Sequence, residues 1–196
     1  MRTTKPRVRS NLYIVLVMCL GLCGCGQRFV PKPYGYVRID LPEATYQTFR
    51  EPDYPYTFRY STLAEIRPKQ EPGERFWLDV YYPRFDARIH CSYKPVQRNL
   101  RELSADAQDF VFKHAGKATS IPEQGFDNPE ARVFGVFYEL RGNTASPYQF
   151  YLTDSVTHFF RAAVYFNCPP NQDSLSPVIG YLGQDVQHMI ETFEWR

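Results

Sequence analysis

Runs of residues with a period of two, joined by connections too short for a crossover, constrain this chain more than any other feature. Arg75 to Tyr82 sets Phe76, Leu78, Val80 and Tyr82 against Trp77, Asp79 and Tyr81, and Pro83 stops it. Ala87 to Lys94 sets Ile89, Cys91 and Tyr93 against Arg88, His90, Ser92 and Lys94. Alternation of this kind is the signature of a pleated strand, and the short loop through Arg84 to Asp86 makes the two an antiparallel hairpin. Tyr56 to Tyr60 is a shorter aromatic strand. Ala131 to Arg141, Pro147 to Thr153 and Thr157 to Asn167 follow, separated by Gly142-Asn143 and Asp154-Ser155, both good turn chemistry.

The period changes twice. After Asn99, Leu100, Leu103, Ala107, Phe110 and His114 recur at helical spacing, with Asn99 and Glu102 imitating a capping box and Gly116 as terminator. The spacing predicts a helix from about Leu100 to Ala115. A second helix starts near Ser174 to Ser176 and carries Val178, Leu182, Val186, Met189, Ile190 and Phe193 on one face to the chain end. Val133 to Leu140 and Phe159 to Phe166 are apolar on both faces, and such strands need covering on both sides. The expected fold is α+β, an antiparallel sheet of about five to seven strands sandwiched between two α-helices (α/β/α).

The first 24 residues stand apart. Arg2, Lys5, Arg7 and Arg9 precede an apolar run from Leu12 to Leu22 and then Cys23-Gly24-Cys25. The run is too short to span a bilayer and reads as a processed signal. Leu22 and Gly24 suit cleavage before Cys25, the expected lipidated residue; an ordinary secretory signal cut elsewhere and a short membrane anchor are the alternatives. With the four signal cations gone, 19 Lys and Arg face 21 Asp and Glu, so the mature chain is nearly neutral. No basic block or basic helix face supports nucleic-acid binding. Residues 25–55 hold Pro31, Pro33, Pro42, Pro52 and Pro55 among Tyr34, Tyr36, Tyr46 and Tyr54. Proline favours extended conformations there, so this segment reads as a stiff strap leading to a single domain at 56–196, or else as a disordered spacer.

Chemistry is sparse. The chain has no nucleophile elbow, phosphate loop, dinucleotide fingerprint or His-Glu-x-x-His. His90, His114, His158 and His188 never stand three or four apart. His114 continues an apolar helix face and reads as a core histidine, and His188 with Glu191 as a surface pair. Asp79 and Glu139 fall mid-strand, where burial would raise their pKa values. Cys91 and Cys168 either form a disulfide or stay apart, with Cys91 a small core hydrophobe. Neither has metal-ligand spacing. Asp154-Ser155-Val156 and Asp173-Ser174-Leu175 match an Asp-Ser/Thr-apolar O-glycosylation signal at Ser155 and Ser174, although turn and N-cap roles explain both equally. Of the 15 Tyr, 15 Phe and 2 Trp, most are expected to fill the core of a sandwich this size. Excess Tyr suits protein contact surfaces better than sugar platforms, which lean on exposed Trp.

Longer strings are more specific. Pro31-Lys32-Pro33-Tyr34-Gly35-Tyr36-Val37-Arg38-Ile39-Asp40-Leu41-Pro42, Tyr148-Gln149-Phe150-Tyr151-Leu152-Thr153-Asp154-Ser155 and Glu191-Thr192-Phe193-Glu194-Trp195 resemble the gliding motility lipoprotein GldD family of Bacteroidota over essentially the whole mature chain. The element order also resembles the PsbP-like sandwich. The GldD resemblance implies a component required for gliding motility and for the type IX secretion machinery that gliding shares. It brings no enzymatic activity, catalytic residue, cofactor or small-molecule substrate. It implies partners among other gliding and secretion proteins of the envelope; the membrane is held through the lipid, and Tyr34, Tyr36 and Arg38 in the aromatic strap are candidate contacts. Gly26-Gln27-Arg28 after Cys25, in place of acidic residues, favours the periplasmic face, with the inner leaflet of the outer membrane preferred. Three readings compete: a non-enzymatic scaffold or assembly factor, a peptidoglycan- or glycan-binding module, and a hydrolase built from Asp79, Glu139 or a histidine. The last requires those groups to converge.

Overall fold

The computed structural model describes residues 40–69, 73, 75–113 and 115–196. The signal segment, Cys25, Tyr34, Tyr36, Arg38 and His114 lie outside the described residues. The chain is α+β, with antiparallel sheets and two helices among the described residues. Seven strands build the main sheet. In spatial order they are β3 (Glu65–Pro68), β4 (Leu78–Tyr82), β5 (Ala87–Pro95), β11 (His158–Phe166), β10 (Tyr148–Thr153), β8 (Val133–Glu139) and β7 (Glu123–Asn128). Every neighbouring pair is antiparallel. The β4–β5 hairpin forms as its alternation requires, with Tyr82 opposite Ala87 and Leu78 opposite Cys91. Asp86 closes the connection in the left-handed region at φ 44°.

Tyr56 to Tyr60 is a strand, but it belongs to a second sheet. There β2 (Tyr56–Ser61) lies between β1 (Tyr46–Phe49) and β12 (Glu194–Trp195). The proline-rich segment before residue 56 therefore contributes a strand, and Phe49 and Tyr54 pack with the main core. The second helix does not reach the chain end. It stops at Glu191, the Thr192 amide bonding the His188 carbonyl, and the last residues turn to pair with β2. A short pair, β6 (Ala118–Ser120) with β9 (Arg141–Gly142), completes the strands among the described residues.

Period two sends alternate residues of each strand to opposite faces. One face carries Leu78, Val80, Tyr82, Ile89, Cys91, Phe150, Leu152, Phe160 and Val164, all buried in one cluster. Val178, Leu182, Val186, Met189 and Ile190 of α2 (Gln172–Glu191) and Tyr56, Phe58 and Phe193 from the small-sheet region join the same cluster. We call this face inner. Its centre is aromatic: the Tyr56 and Phe193 rings lie 5.8 Å apart, and each is 4.9 Å from Phe160. Offset and edge-on ring pairs of this kind add roughly 0.5–1.5 kcal/mol each beyond the area they bury.

The opposite face, the outer, is met by α1 (Leu100–Lys113). Leu103 and Ala107 cluster with Phe159, and Val111 with Tyr138 and Leu140. Phe110, expected on the buried stripe, is 43 % exposed; Val111 takes the inward place, and Phe110 lies flat over the Arg161 guanidinium at 4.4 Å. Helix starts also differ in detail from expectation. Asn99 Oδ1 accepts the Gln97 amide rather than closing a capping box. α2 begins at Gln172, because the Asn171 side chain caps the Ser174 amide, and Pro177 is carried inside the helix. Gly135 is required on β8: a Cβ there would lie 1.9 Å from the Tyr151 carbonyl oxygen.

Candidate functional site

The packing partners of α1 lie on β8, β10 and β11, and the outer residues of β3, β4 and β5 are left partly in water. The hairpin register puts Asp79 opposite His90, and β3 puts Arg67 opposite Asp79. The Asp79 carboxylate, though mostly buried, holds two partners. His90 Nδ1 donates to Oδ1 at 2.7 Å, and Lys69 Nζ lies 3.2 Å from Oδ2. Burial works to raise the Asp79 pKa, but the hydrogen bonds from His90 and Lys69 and their charges outweigh it, and the net shift is downward. This corrects the expectation of a raised value, which considered burial without partners.

Aromatic groups flank this cluster. Trp77 donates its indole N–H to the Tyr93 carbonyl at 2.8 Å and presents an edge to His90 at 5.7 Å. The Arg67 guanidinium sits 3.5 Å over the Tyr81 ring, and the Tyr81 hydroxyl donates to Asp86 at 2.9 Å. Beside them Tyr81, Asp86, Arg88, Tyr165 and Asn167 line an open depression of about 240 Å³. Charged groups of both signs beside partly exposed rings suit recognition of another molecule; no nucleophile there stands next to a base.

Glu139 does not join Asp79. It lies in register with Tyr148, an inner-face residue, pairs with Arg141 at 2.9 Å, and is four strands away, about 19 Å at the usual strand spacing. The convergence that the hydrolase reading requires is missing for Asp79 and Glu139, whereas Asp79 and His90 do meet, at 2.7 Å. His158 Nδ1 and the Tyr93 hydroxyl are 2.8 Å apart, and its ring stacks on Trp195 at 5.0 Å. Burial lowers its pKa against the opposing charge of Asp154. Among the described residues no three His, Cys, Asp or Glu side chains gather as a metal site would need.

The remaining sequence candidates fall in separate places. Cys91 is fully buried against the inner core, whereas Cys168 is exposed in the loop after β11, and both are free in this structure. Ser155 is exposed in the β10–β11 turn at φ 68°, while the neighbouring Asp154 is turned inward. Asp154 Oδ1 accepts the amides of Val156, Thr157 and His158, bonds that overcome burial and lower its pKa. Ser174 sits in the first turn of α2, its hydroxyl on the Asn171 carbonyl.

One group escaped the sequence reading. Asp185 is 1 % exposed on the inner side, with the Tyr82 hydroxyl donating to Oδ2 at 3.0 Å. The Tyr46 and Ser61 hydroxyls lie near enough to favour its charge, yet burial dominates and the pKa is raised. Burial and the Asp185 charge together push Tyr46 up to about 12. His188 stacks on Tyr46 at 3.7 Å rather than forming the expected surface pair with Glu191. Asp185 Oδ1, the Tyr181 hydroxyl and His188 Nε2 close no hydrogen bond of good geometry. A usable signal was present, since an Asp at three residues past Leu182 and four before Met189 stands on the apolar stripe itself.

The sequence profile described as "Gliding motility lipoprotein GldD" matches residues 26–195. The chain belongs to the GldD family. As a member it is a gliding-motility-associated envelope lipoprotein. Comparison with curated proteins finds no match. Among solved structures it is similar to the solution structure of cyanobacterial PsbP (CyanoP) from Synechocystis sp. PCC 6803. The two share 9 % identity over 84 % of this chain and 100 % of that one, at a TM-score of 0.46. Among the described residues no helix is long and apolar enough to cross a membrane.

Proposed function

We propose that this GldD-family chain is a non-enzymatic, lipid-anchored scaffold or assembly factor of the gliding and type IX secretion machinery, held through Cys25 and facing the periplasm. The observation that carries the reading is the family match across residues 26–195. The separation of Asp79 from Glu139 supports the non-enzymatic part. The open outer face of β3–β5 is a candidate surface for other envelope proteins, and Tyr34, Tyr36 and Arg38 are further candidate contacts. In this reading the helices α1 and α2 cover opposite faces of the main sheet as outer layers.

Crosslinking in cells followed by mass spectrometry tests the scaffold. Gliding or secretion proteins are the expected products, and their consistent absence would count against the role. Cys25→Ala should leave the membrane fraction while the domain stays folded; unchanged fractionation would remove the lipid anchor. Partly exposed Trp77 beside His90 and Asp79 favours a second reading, a peptidoglycan or glycan contact. Retention on purified sacculi, lost in Trp77→Ala, would support it, and no retention would end it.

A further inference from the structure

The main sheet has two edges, and they are built differently. β3 is four residues long, ends in Pro68, and ties its charges together through Arg67 and Glu65 at 3.1 Å. Short length, proline and charge are the usual means of stopping a sheet from growing. β7 has six residues, Glu-Gln-Gly-Phe-Asp-Asn, with no Pro, Lys or Arg. Among the described residues β8 is its one partner strand, so its other edge carries backbone groups that no strand among them takes up.

The two faces of this edge are also unlike. Gln124 and Phe126 pair with the inner-face register of Phe137 and Gly135. On that side an open groove of about 260 Å³ runs toward α2, lined by Phe126, Phe137 and Ile190 with Gln124, Gln187 and Glu191. Glu123, Gly125 and Asp127 belong to the outer face and are exposed, and the space where a Gly125 Cβ would stand is open. Glu123 and Asp127 are four residues apart on one side, about 13 Å along the strand. Edge and groove together carry three carboxylates, Glu123, Asp127 and Glu191, and no cation.

We propose that β7 is a receiving edge that takes up an extended segment of a partner protein, in which basic and apolar side chains alternate, as an additional strand of the main sheet. Backbone pairing with β7 supplies the grip. Alternate apolar side chains enter the groove over Phe126, Phe137 and Ile190, and the intervening Lys or Arg residues meet Glu123 and Asp127. Strand addition of this kind takes affinity from the ladder and specificity from alternate side chains. The inference deepens the scaffold reading by naming the chemistry of its partner, and it rests on that reading.

The test uses the full chain purified from membranes in detergent and two synthetic octapeptides, one alternating Lys with Val and one alternating Glu with Val. Amide hydrogen exchange should slow across Glu123 to Asn128 with the Lys-Val peptide, which should bind at least tenfold tighter than the Glu-Val peptide. Replacing both exposed carboxylates, Glu123→Lys with Asp127→Lys, should reverse the preference while the circular dichroism spectrum stays unchanged. Equal affinity for the two peptides, or protection confined to segments other than β7, would overturn the proposal. So would protection of β7 that grows with protein concentration in the absence of peptide, because the occupant would then be a second copy of the chain. Failure here leaves the in-cell crosslinking result standing, so the edge and the scaffold are judged separately.

Discussion

The two faces of the seven-stranded sheet solve the burial of an aspartate in opposite ways. On the outer face Asp79 keeps its charge because His90 reaches it from β5 and Lys69 from just past the end of β3. Under α2, Asp185 has hydroxyl neighbours in place of a paired lysine or arginine, and its charged form is disfavoured. Burial alone therefore does not set the direction of a shift; what the partners supply, by charge or by hydrogen bond, decides. The inner face is also a continuous aromatic core, whereas the outer face is covered over only part of its width. Stability concentrates on the first.

The sharpest test of that division is truncation on each side. Phe160→Ala, at a fully buried inner position in contact with Phe58, Phe150 and Phe193, should cost about 3–5 kcal/mol in a urea melt. A loss below 1 kcal/mol would mean that the aromatic centre is not what holds the fold.

Next in size is Asp185→Asn, expected to stabilise by about 1–2 kcal/mol at pH 7. Because the folded pKa is raised, the folded chain retains a proton that the unfolded chain loses above about pH 4. Stability contributed by this group is thus greatest at acid pH and falls as pH rises through the raised folded value. The gain in the variant should disappear near pH 3, and a loss of stability at pH 7 would show that the hydroxyl ring suffices for the anion.

Asp79→Asn should do the reverse. It should destabilise by about 1 kcal/mol at pH 7, the pair being discounted for the partial exposure of Lys69 and His90. Its folded pKa is lowered, so this contribution is present above the ordinary carboxylate value near 3.9 and is lost as pH falls through the lower folded value. Melts of both aspartate variants across pH 3 to 7 should give slopes of opposite sign. Smallest of all, Phe112→Ala on the 60 % exposed flank of α1 should change stability by less than about 0.5 kcal/mol.

Where the sequence was legible, the information was local. The β4–β5 hairpin, both helices and the paired strands β10 and β11 announce themselves through period and turn residues. Counting back from the Arg84–Asp86 turn would even have set Asp79 opposite His90. What was not legible depended on partners distant in sequence. Tyr46–Phe49 and Glu194–Trp195 are too short to show a period and become strands because β2 lies between them. Glu123–Asn128 contains no β-branched residue, so its strand state is imposed by β8. Lys69 reaches Asp79 from just past the end of β3, and nothing in the alternation of β4 foretells it. The Cys91 alternation with Ile89 and Tyr93 did point to its core position, whereas the exposure of Cys168 is a property of the loop.

The strand β12 has a practical consequence for anyone who labels the protein next to it. The Trp195 indole donates to the Arg132 carbonyl at 3.0 Å, and the Arg196 amide donates to the Pro55 carbonyl at 2.9 Å. An epitope or fluorescent reporter joined directly after Arg196 would tug on a rung of the small sheet from its first peptide bond. A flexible spacer of several glycines and serines belongs between them.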